Sequence, residues 1–137
     1  MRMQHSARTK TVQHINPAAY SSTQTPSNGV DCRGWKNLKV ILPVGAVGAS
    51  ATMDVKLQES SDDSTYTDIT GAAFTQLTNA RQNTKRLMEV FLPDRKRYIR
   101  AVGTYGGSGS ALFGVDFEFS DPIDTDLYAT DTYDASV

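Results

Sequence analysis

The chain offers few side chains of the kinds that perform nucleophilic catalysis. Its two histidines, His5 and His14, lie near the N-terminus, and its single cysteine, Cys32, precedes Arg33. A neighbouring cation favours the thiolate form of a cysteine, so a Cys–His pair is one interpretation. A catalytic dyad needs rigid positioning, however, and both histidines lie in a polar stretch with little to hold it. We therefore favour Cys32 as a small hydrophobe at the start of a strand, and we expect no enzymatic activity.

Two acidic clusters are candidates for metal binding. One is the run SSDDS around Asp62 and Asp63, and the other is the C-terminal group Asp121, Asp124 and Asp126. The first lacks the Asp-x-Asp-x-Asp-Gly spacing and the distal Glu of an EF-hand loop. The second lies on a polar tail that does not fix its carboxylates. We interpret SSDDS as a turn between two strands, and we expect neither a metal nor any other cofactor.

Composition limits the classes of partner. The chain has 137 residues, 39% hydrophobic and 21% charged, with a net charge of −1. This length fits one domain, and the near-zero net charge gives no general attraction for nucleic acid or membrane. No apolar run is long enough to span a bilayer, and no apolar segment follows the basic N-terminus as in a secretory signal. A single cysteine excludes an intrachain disulfide. We expect synthesis in the cytoplasm and no membrane partner.

Charge is divided unevenly along the chain. Residues 81–100 contain seven basic and two acidic residues, a net charge of +5, whereas residues 121–137 contain five acidic residues and no basic one. The two segments could both be solvated, or they could meet within one chain or between copies, where complementary charges set register and partner choice. The residues we expect at such an interface are Arg95, Lys96, Arg97, Arg100, Asp121, Asp124, Asp126, Asp131 and Asp134. The basic cluster RKRYIR could also grip a nucleic-acid strand, which we consider the weaker hypothesis.

Alternating apolar and polar residues dominate the rest of the chain and predict β-strands. The clearest inward-facing sets are Leu38, Val40, Leu42 and Val44; Met53, Val55 and Leu57; and Phe113, Val115, Phe117 and Phe119. Turn signals separate six to eight short strands, and no segment has a capped helical stripe. This pattern predicts an all-β fold, an antiparallel β-sandwich of jelly-roll-like type.

Two strands carry more specific expectations. Pro43 cannot donate a ladder hydrogen bond, so the strand NLKVILPV should lie at a sheet edge or end there. The segment KRLMEVFLP is apolar on both faces, and we expect both faces to be covered.

We expect three regions along the chain. Residues 1–30 are polar and predict an extended N-terminal arm, although a weak strand pattern is present at 9–14. Residues 31–120 should form the β-sandwich, and residues 121–137 an acidic C-terminal tail. Neither terminal segment can bury enough apolar area to order itself, so both should become ordered only against another surface.

Trp35, the single tryptophan, lies just before a predicted strand. An exposed tryptophan can stack on a sugar. A tryptophan at this position more often closes the end of a sandwich, and we favour that role.

Three segments resemble small structural proteins of tailed bacteriophages. They are INPAAYSSTQTPSNGVDCRGWKNLKVILPVGAV (15–47), MDVKLQESSDDSTYTDITGAAFTQL (53–77) and KRYIRAVGTYGGSGSALFGVDF (96–117). Within them, a GVDLRG-like segment spans Gly29 to Gly34, with Cys32 in place of the usual apolar residue. The others are an LQESxDxxTYTDI-like hairpin and a KRYIRA strand. The similar motifs cover about two thirds of the chain and belong to strands and turns.

The resemblance implies a non-enzymatic virion protein. The best-matching role is a capsid cement or decoration protein that binds the major capsid protein lattice and stabilises the head. Such a protein would be a homo-oligomer or a multicopy array on the capsid surface. The alternative is a head-completion, tail or receptor-facing virion protein that binds glycans through Trp35. The polar N-terminal arm and the acidic tail lie outside the family pattern.

Overall fold

The computed structural model describes residues 9–123, which form two packed antiparallel sheets of four strands each. The strands are β1 (Thr9–Tyr20), β2 (Val30–Asp31), β3 (Trp35–Val47), β4 (Ala51–Ser60), β5 (Thr67–Ala73), β6 (Thr84–Phe91), β7 (Tyr98–Gly107) and β8 (Ala111–Pro122). Two short 3-10 turns, Asn79–Arg81 and Leu92–Asp94, flank β6. These residues contain no α-helix, so the predicted all-β class and the two-sheet packing are confirmed.

The sheets are built largely from strands that are distant in sequence. One has the order β1-β8-β3-β6 and the other the order β2-β7-β4-β5. Only β4 and β5 are neighbours both in the chain and in a sheet. The other nested pairs join β1 to β8, β2 to β7 and β3 to β6, so the chain pairs as one long hairpin wound around the core.

The core lies between the sheets and contains all three predicted inward-facing sets. Phe113, Phe117 and Phe119 are fully buried, and the rings of Phe117 and Phe119 meet edge to face at 6.4 Å between centroids. Burying each phenylalanine contributes roughly 1.5–3 kcal/mol. Trp35 packs 6.0 Å from the Phe119 ring and is only partly buried, so it covers one end of the core as expected.

The N-terminal segment differs from the extended arm expected over residues 1–30. Residues 9–20 form β1, an edge strand paired with β8, so the sandwich begins at residue 9. Val12 and Ile15 contact the core, with Ile15 only 5% exposed. Two register shifts, between Gln13 and Ile15 and between Ile15 and Ala18, break the period-2 pattern. The sequence therefore does not predict the full length of this strand. At the other end, β8 continues to Pro122, into the predicted tail.

The expectations for β3 and β6 were wrong. β3 lies between β8 and β6 and continues past Pro43, which faces Lys85 within the β3–β6 ladder. A central strand tolerates this proline because the proline removes only one backbone N–H donor from the ladder. β6 is an edge strand, and its outward Leu87 and Phe91 are each 56% exposed. The second apolar face of KRLMEVFLP is therefore uncovered in the part of the chain that the structure describes.

Candidate interaction surface

The candidate catalytic side chains have structural roles. Cys32 is 4% exposed, its thiol donates to the Val30 carbonyl at 3.3 Å, and burial raises its pKa to about 12. His14 stacks on Phe117 at 4.8 Å, and its Nε2 accepts the Ala101 N–H at 3.0 Å. Burial, and then the charge of Arg100, lowers the pKa of His14 to about 4. These contacts disfavour the thiolate and occupy the imidazole; His5 lies outside the described residues.

The carboxylates of the SSDDS run are likewise occupied. Asp62 accepts the N–H groups of Thr65 at 3.0 Å and Ser64 at 2.9 Å, and the Ser60 hydroxyl donates to it at 2.8 Å. The backbone bond from Thr65 contributes most to lowering the Asp62 pKa to about 2. This geometry is that of a turn closed by its own side chains, as predicted. Within residues 9–123, no three His, Cys, Asp or Glu side chains come together as a metal site would require.

Two of the four basic residues expected at an interface are bound inside the domain. Arg97 donates twice to Asp31, from Nε to Oδ1 at 3.1 Å and from Nη2 to Oδ2 at 2.8 Å. Arg100 donates from Nε to Gln58 at 2.9 Å and from Nη1 to the Pro26 carbonyl at 2.8 Å. The Arg97 bonds join the residue before β7 to β2, and the Arg100 bonds join β7 to β4 and to the segment before β2. The hydrogen bond from Arg97 is also the main cause that lowers the Asp31 pKa to about 2.

The other two basic residues lie around Glu59. Arg95 Nη1 is 3.6 Å from Glu59 Oε2, and the backbone N–H of Lys96 donates to Glu59 Oε1 at 2.9 Å. The side chain of Lys96 is exposed, as is that of Arg33, and neither forms an ion pair within residues 9–123. Lys96 and Arg33 are therefore the cations of this region that are open to a partner.

The three segments that carry the family resemblance bond to one another. Asp63, in the hairpin, accepts the Gly29 N–H at 2.7 Å, the Asn28 amide at 3.1 Å and the Tyr66 hydroxyl. The Arg100 guanidinium, from the KRYIRA strand, lies 4.1 Å from the centroid of the Tyr66 ring. We call this set the motif network: Asn28, Gly29, Asp31, Gln58, Asp63, Tyr66, Arg97 and Arg100. Its polar groups bond largely to one another, so the motifs contribute to holding the fold together.

An open cavity of about 280 Å³ lies at one end of the sandwich. Its wall combines the apolar surface of Trp35 with a basic rim. The lining residues are Cys32, Arg33, Gly34, Trp35, Leu92, Pro93, Arg95, Lys96, Arg97 and Ile123. We call it the basic-end cavity. An anionic group with an adjoining apolar part would complement this surface.

The described part of the chain ends beside this cavity, at the start of the acidic tail. Ile123, the last described residue, lines the cavity and donates its N–H to the Gly34 carbonyl at 2.7 Å. Asp121 does not face the basic residues; it accepts a hydrogen bond from Asn37 on β3 and has a φ of 56°. The other four aspartates expected at an interface lie outside the described residues: Asp124, Asp126, Asp131 and Asp134.

The outer face of β6 is exposed, which the sequence pattern does not predict. The exposed residues are Lys85, Leu87, Glu89 and Phe91, whereas the segment KRLMEVFLP predicts a strand covered on both faces. The signal was present, because charged residues spaced along a short strand are typical of an edge.

No protein-family model matches the chain, and no curated protein matches it at a significant level. Among the described residues, no helix is both long and apolar enough to cross a membrane.

Proposed function

We propose that this chain is a non-enzymatic virion structural protein of a tailed bacteriophage, a cement or decoration protein that binds the major capsid protein lattice and stabilises the head. One observation carries the proposal: the three segments that resemble phage structural proteins form one bonded unit, the motif network. The resemblance therefore falls on residues that cooperate in space and not on scattered strand patterns. Among the described residues, by contrast, the candidate nucleophile Cys32, the candidate base His14 and the candidate metal ligands Asp62, Asp63 and Asp121 each bond to groups of the same chain.

We further interpret the sandwich as a jelly roll. The orders β1-β8-β3-β6 and β2-β7-β4-β5 arise when a single long hairpin of four nested strand pairs winds around a core. Eight-stranded jelly rolls recur in viral capsid and lectin domains. This likeness is an analogy of fold, and it supports a structural or binding role without naming the partner.

Contact with the capsid would centre on the basic-end cavity. Arg33 and Lys96 are exposed and form no ion pair within residues 9–123, and the acidic tail begins at the same place. A basic rim and a following acidic segment could engage complementary patches on adjacent capsid subunits. Many such modest contacts, repeated over an array of copies, give avidity and raise the cost of separating the subunits against internal DNA pressure.

The location of the protein in purified virions tests the role directly. Hundreds of copies on the head support a cement protein. A few copies at one vertex or on the tail, or none in the virion, would overturn it.

The proposed contact surface is tested on heads that lack the protein. Arg33→Glu with Lys96→Glu should lower occupancy on the heads, and added salt should lower the occupancy of the unmodified protein. Arg81→Glu is the charge-matched control, because Arg81 lies in the 3-10 turn whose Asn79 bonds to Val47, at the opposite end of β3. A chain ending at residue 123 tests the tail without disturbing β8. Equal occupancy for all four proteins would exclude the basic-end cavity and the tail as the contact.

A receptor-facing protein that binds glycans is a second candidate, favoured by the place of Trp35 in the wall of the basic-end cavity. Trp35 is the only tryptophan, so its fluorescence reports on this cavity alone. Titration with acidic and neutral oligosaccharides should change that emission if the candidate is right. Unchanged emission with every sugar, together with high occupancy on heads, would exclude glycan binding and support the cement role.

A further inference from the structure

Four strands lie at the edges of the two sheets, and three of them are poorly suited to pairing with another strand. β1 contains two register shifts and Pro17, β5 contains a register shift beside Gly71, whose φ is 84°, and β2 is only two residues long. Bulges and short length protect an edge from added strands. The fourth edge, β6, pairs with β3 in unbroken register along its whole length. Of the four, β6 is the edge that an added strand would fit best.

The free backbone groups of β6 follow from its ladder with β3. The Asn83 N–H donates to the Gly45 carbonyl at 2.9 Å, next to the pair of Thr84 and Val44. Hydrogen-bonded and non-hydrogen-bonded pairs alternate in an antiparallel ladder, so the odd-numbered residues of β6 direct their backbone groups toward β3. The even-numbered residues direct theirs away from the sheet: Thr84, Arg86, Met88 and Val90. No other described strand pairs with this row of donors and acceptors.

The outer face of β6 alternates charged and apolar side chains. Leu87 and Phe91 are each 56% exposed, and Lys85 and Glu89 form no ion pair within residues 9–123. Lys39 lies opposite Glu89 on β3, but its Nζ is 3.9 Å from Glu118 Oε1 on its other side. The outer face of β6 thus presents a cation, a leucine and an anion in that order. When a second copy runs antiparallel to the first, each cation lies opposite an anion and the leucines lie opposite each other.

From these observations we infer that two copies of the chain associate by antiparallel pairing of their β6 strands about a two-fold axis at Leu87. Lys85 then lies opposite Glu89 of the partner subunit, and Leu87 lies opposite the partner's Leu87. Arg86 and Met88 occupy the hydrogen-bonded pairs, as the free backbone groups require. The charged and leucine pairs fall at non-hydrogen-bonded positions, where opposed side chains come closest.

Other registers lose this complementarity. An axis at Met88 would place Lys85 opposite Phe91 and Leu87 opposite Glu89. An axis at Arg86 or at Glu89 would oppose two like charges, which is unfavourable for directly facing cross-strand residues. The charge pattern therefore selects the axis at Leu87.

The resulting interface is isologous and closed. Two four-stranded sheets join into one continuous sheet through β6 of each copy, and each copy uses the single edge suited to the contact. Association therefore stops at two. The inference does not depend on the virion role, because the dimer would form in solution without capsid.

Sedimentation of the full-length chain over a range of concentrations tests the dimer. The unmodified protein should shift from monomer to dimer as concentration rises. Lys85→Glu and Glu89→Lys should each raise the dissociation constant by at least about tenfold, because each faces like charges across the axis. The double variant should return to within about threefold of the unmodified protein. An equimolar mixture of the two single variants should form a heterodimer, since both charged pairs are then restored.

Two controls separate this contact from others. Arg33→Glu changes an exposed charge at the basic-end cavity and should leave the dimer unchanged. Circular dichroism of each variant confirms folding. The inference is overturned by a protein that stays monomeric at every concentration, or by single variants that associate normally. Failure of the double variant to recover would overturn the register, and loss of the dimer on truncation at residue 123 would assign the contact to the tail. Loss of head binding with an intact dimer would count against the virion role alone.

Discussion

The motif network and the edge strand β6 both carry acidic and basic side chains, but they use them differently. In the network, Asp31, Asp63, Arg97 and Arg100 bond to groups of the same chain. On β6, Lys85 and Glu89 form no ion pair within the described residues, and one row of backbone groups is open. Density of charge in a sequence therefore does not identify an interface. What matters is whether the partners of those charges lie within the chain or outside it.

The largest effect that we expect concerns His14, which bonds to β7 beside Arg100 of the network. The neutral imidazole accepts the Ala101 N–H, and its folded-state pKa is lowered from 6.5 to about 4. Protonation thus favours the unfolded chain, and stability present above pH 6.5 is lost as pH falls to about 4. The loss should be roughly 3 kcal/mol in the free energy of unfolding. Urea unfolding across this range measures it.

His14→Gln is the control for this prediction, because a glutamine carbonyl can accept the same N–H without titrating. Its stability should vary little over that window. Asp31 and Asp62 have lowered pKa values, so their contributions are lost only at lower pH, between 3.8 and about 2. An equal loss in His14→Gln and in the unmodified protein would contradict the role given to His14.

The close approach at Gly29 offers the next test. An added Cβ would lie 2.9 Å from the Ile99 carbonyl oxygen and closer still to the Tyr66 hydroxyl, so Gly29→Ala forces the network apart. Such overpacking should lower the free energy of unfolding by about 2 kcal/mol. Gly48→Ala is the matched control, because its Cβ would meet only ordinary contacts from 3.5 Å outward. Similar stability for the two variants in urea unfolding would show that the network tolerates this displacement.

Tyr66→Phe should have a smaller effect on the same region. It removes the hydroxyl that donates to Asp63 but keeps the ring against which Arg100 packs. We expect a loss of about 1 kcal/mol in the free energy of unfolding. Tyr105→Phe removes an exposed bond to the Gly109 carbonyl and serves as the comparison. If both variants unfold at the same urea concentration, the Asp63 contact contributes nothing special.

The smallest effect on stability should come from β6. Leu87 is 56% exposed, so Leu87→Lys should change the free energy of unfolding of the monomer by less than about 0.5 kcal/mol. The same change places like charges at the two-fold axis and should abolish self-association. A large loss of monomer stability would mean that Leu87 packs within its own chain. The network and β6 would then differ less than the structure indicates.

Strand pattern in the sequence was enough to predict the class of fold and most of the core. Phe113, Val115, Phe117 and Phe119 alternate without interruption, and all are buried. β1 was missed as a full strand because two register shifts interrupt its alternation. Strand order was not predictable in detail, since β3 and β8 are far apart in the chain and a local pattern does not specify its partner.

The candidate surface was predicted only in part. The basic cluster was visible in the sequence, but Asp31 and Gln58, which bind Arg97 and Arg100, lie far from them in the chain. Residues that come into contact only on folding cannot be recognised as partners from their spacing in the sequence. The exposure of β6 depends likewise on its place at the edge of a sheet.

The pairing of β1 with β8 and of β8 with β3 places the first and last described residues at the same end of the sandwich. Thr9 faces Ser120 and Trp35 faces Pro122, so the segments before residue 9 and after residue 123 both begin at the same pole as the basic-end cavity. A molecule tethered through its termini would stand upright on its support, with its strands running away from it. β6 would then face sideways along its whole length, toward a neighbour standing on the same support. A tag or cargo fused directly at residue 9 or at residue 123 would lie at this pole and leave the β6 side clear.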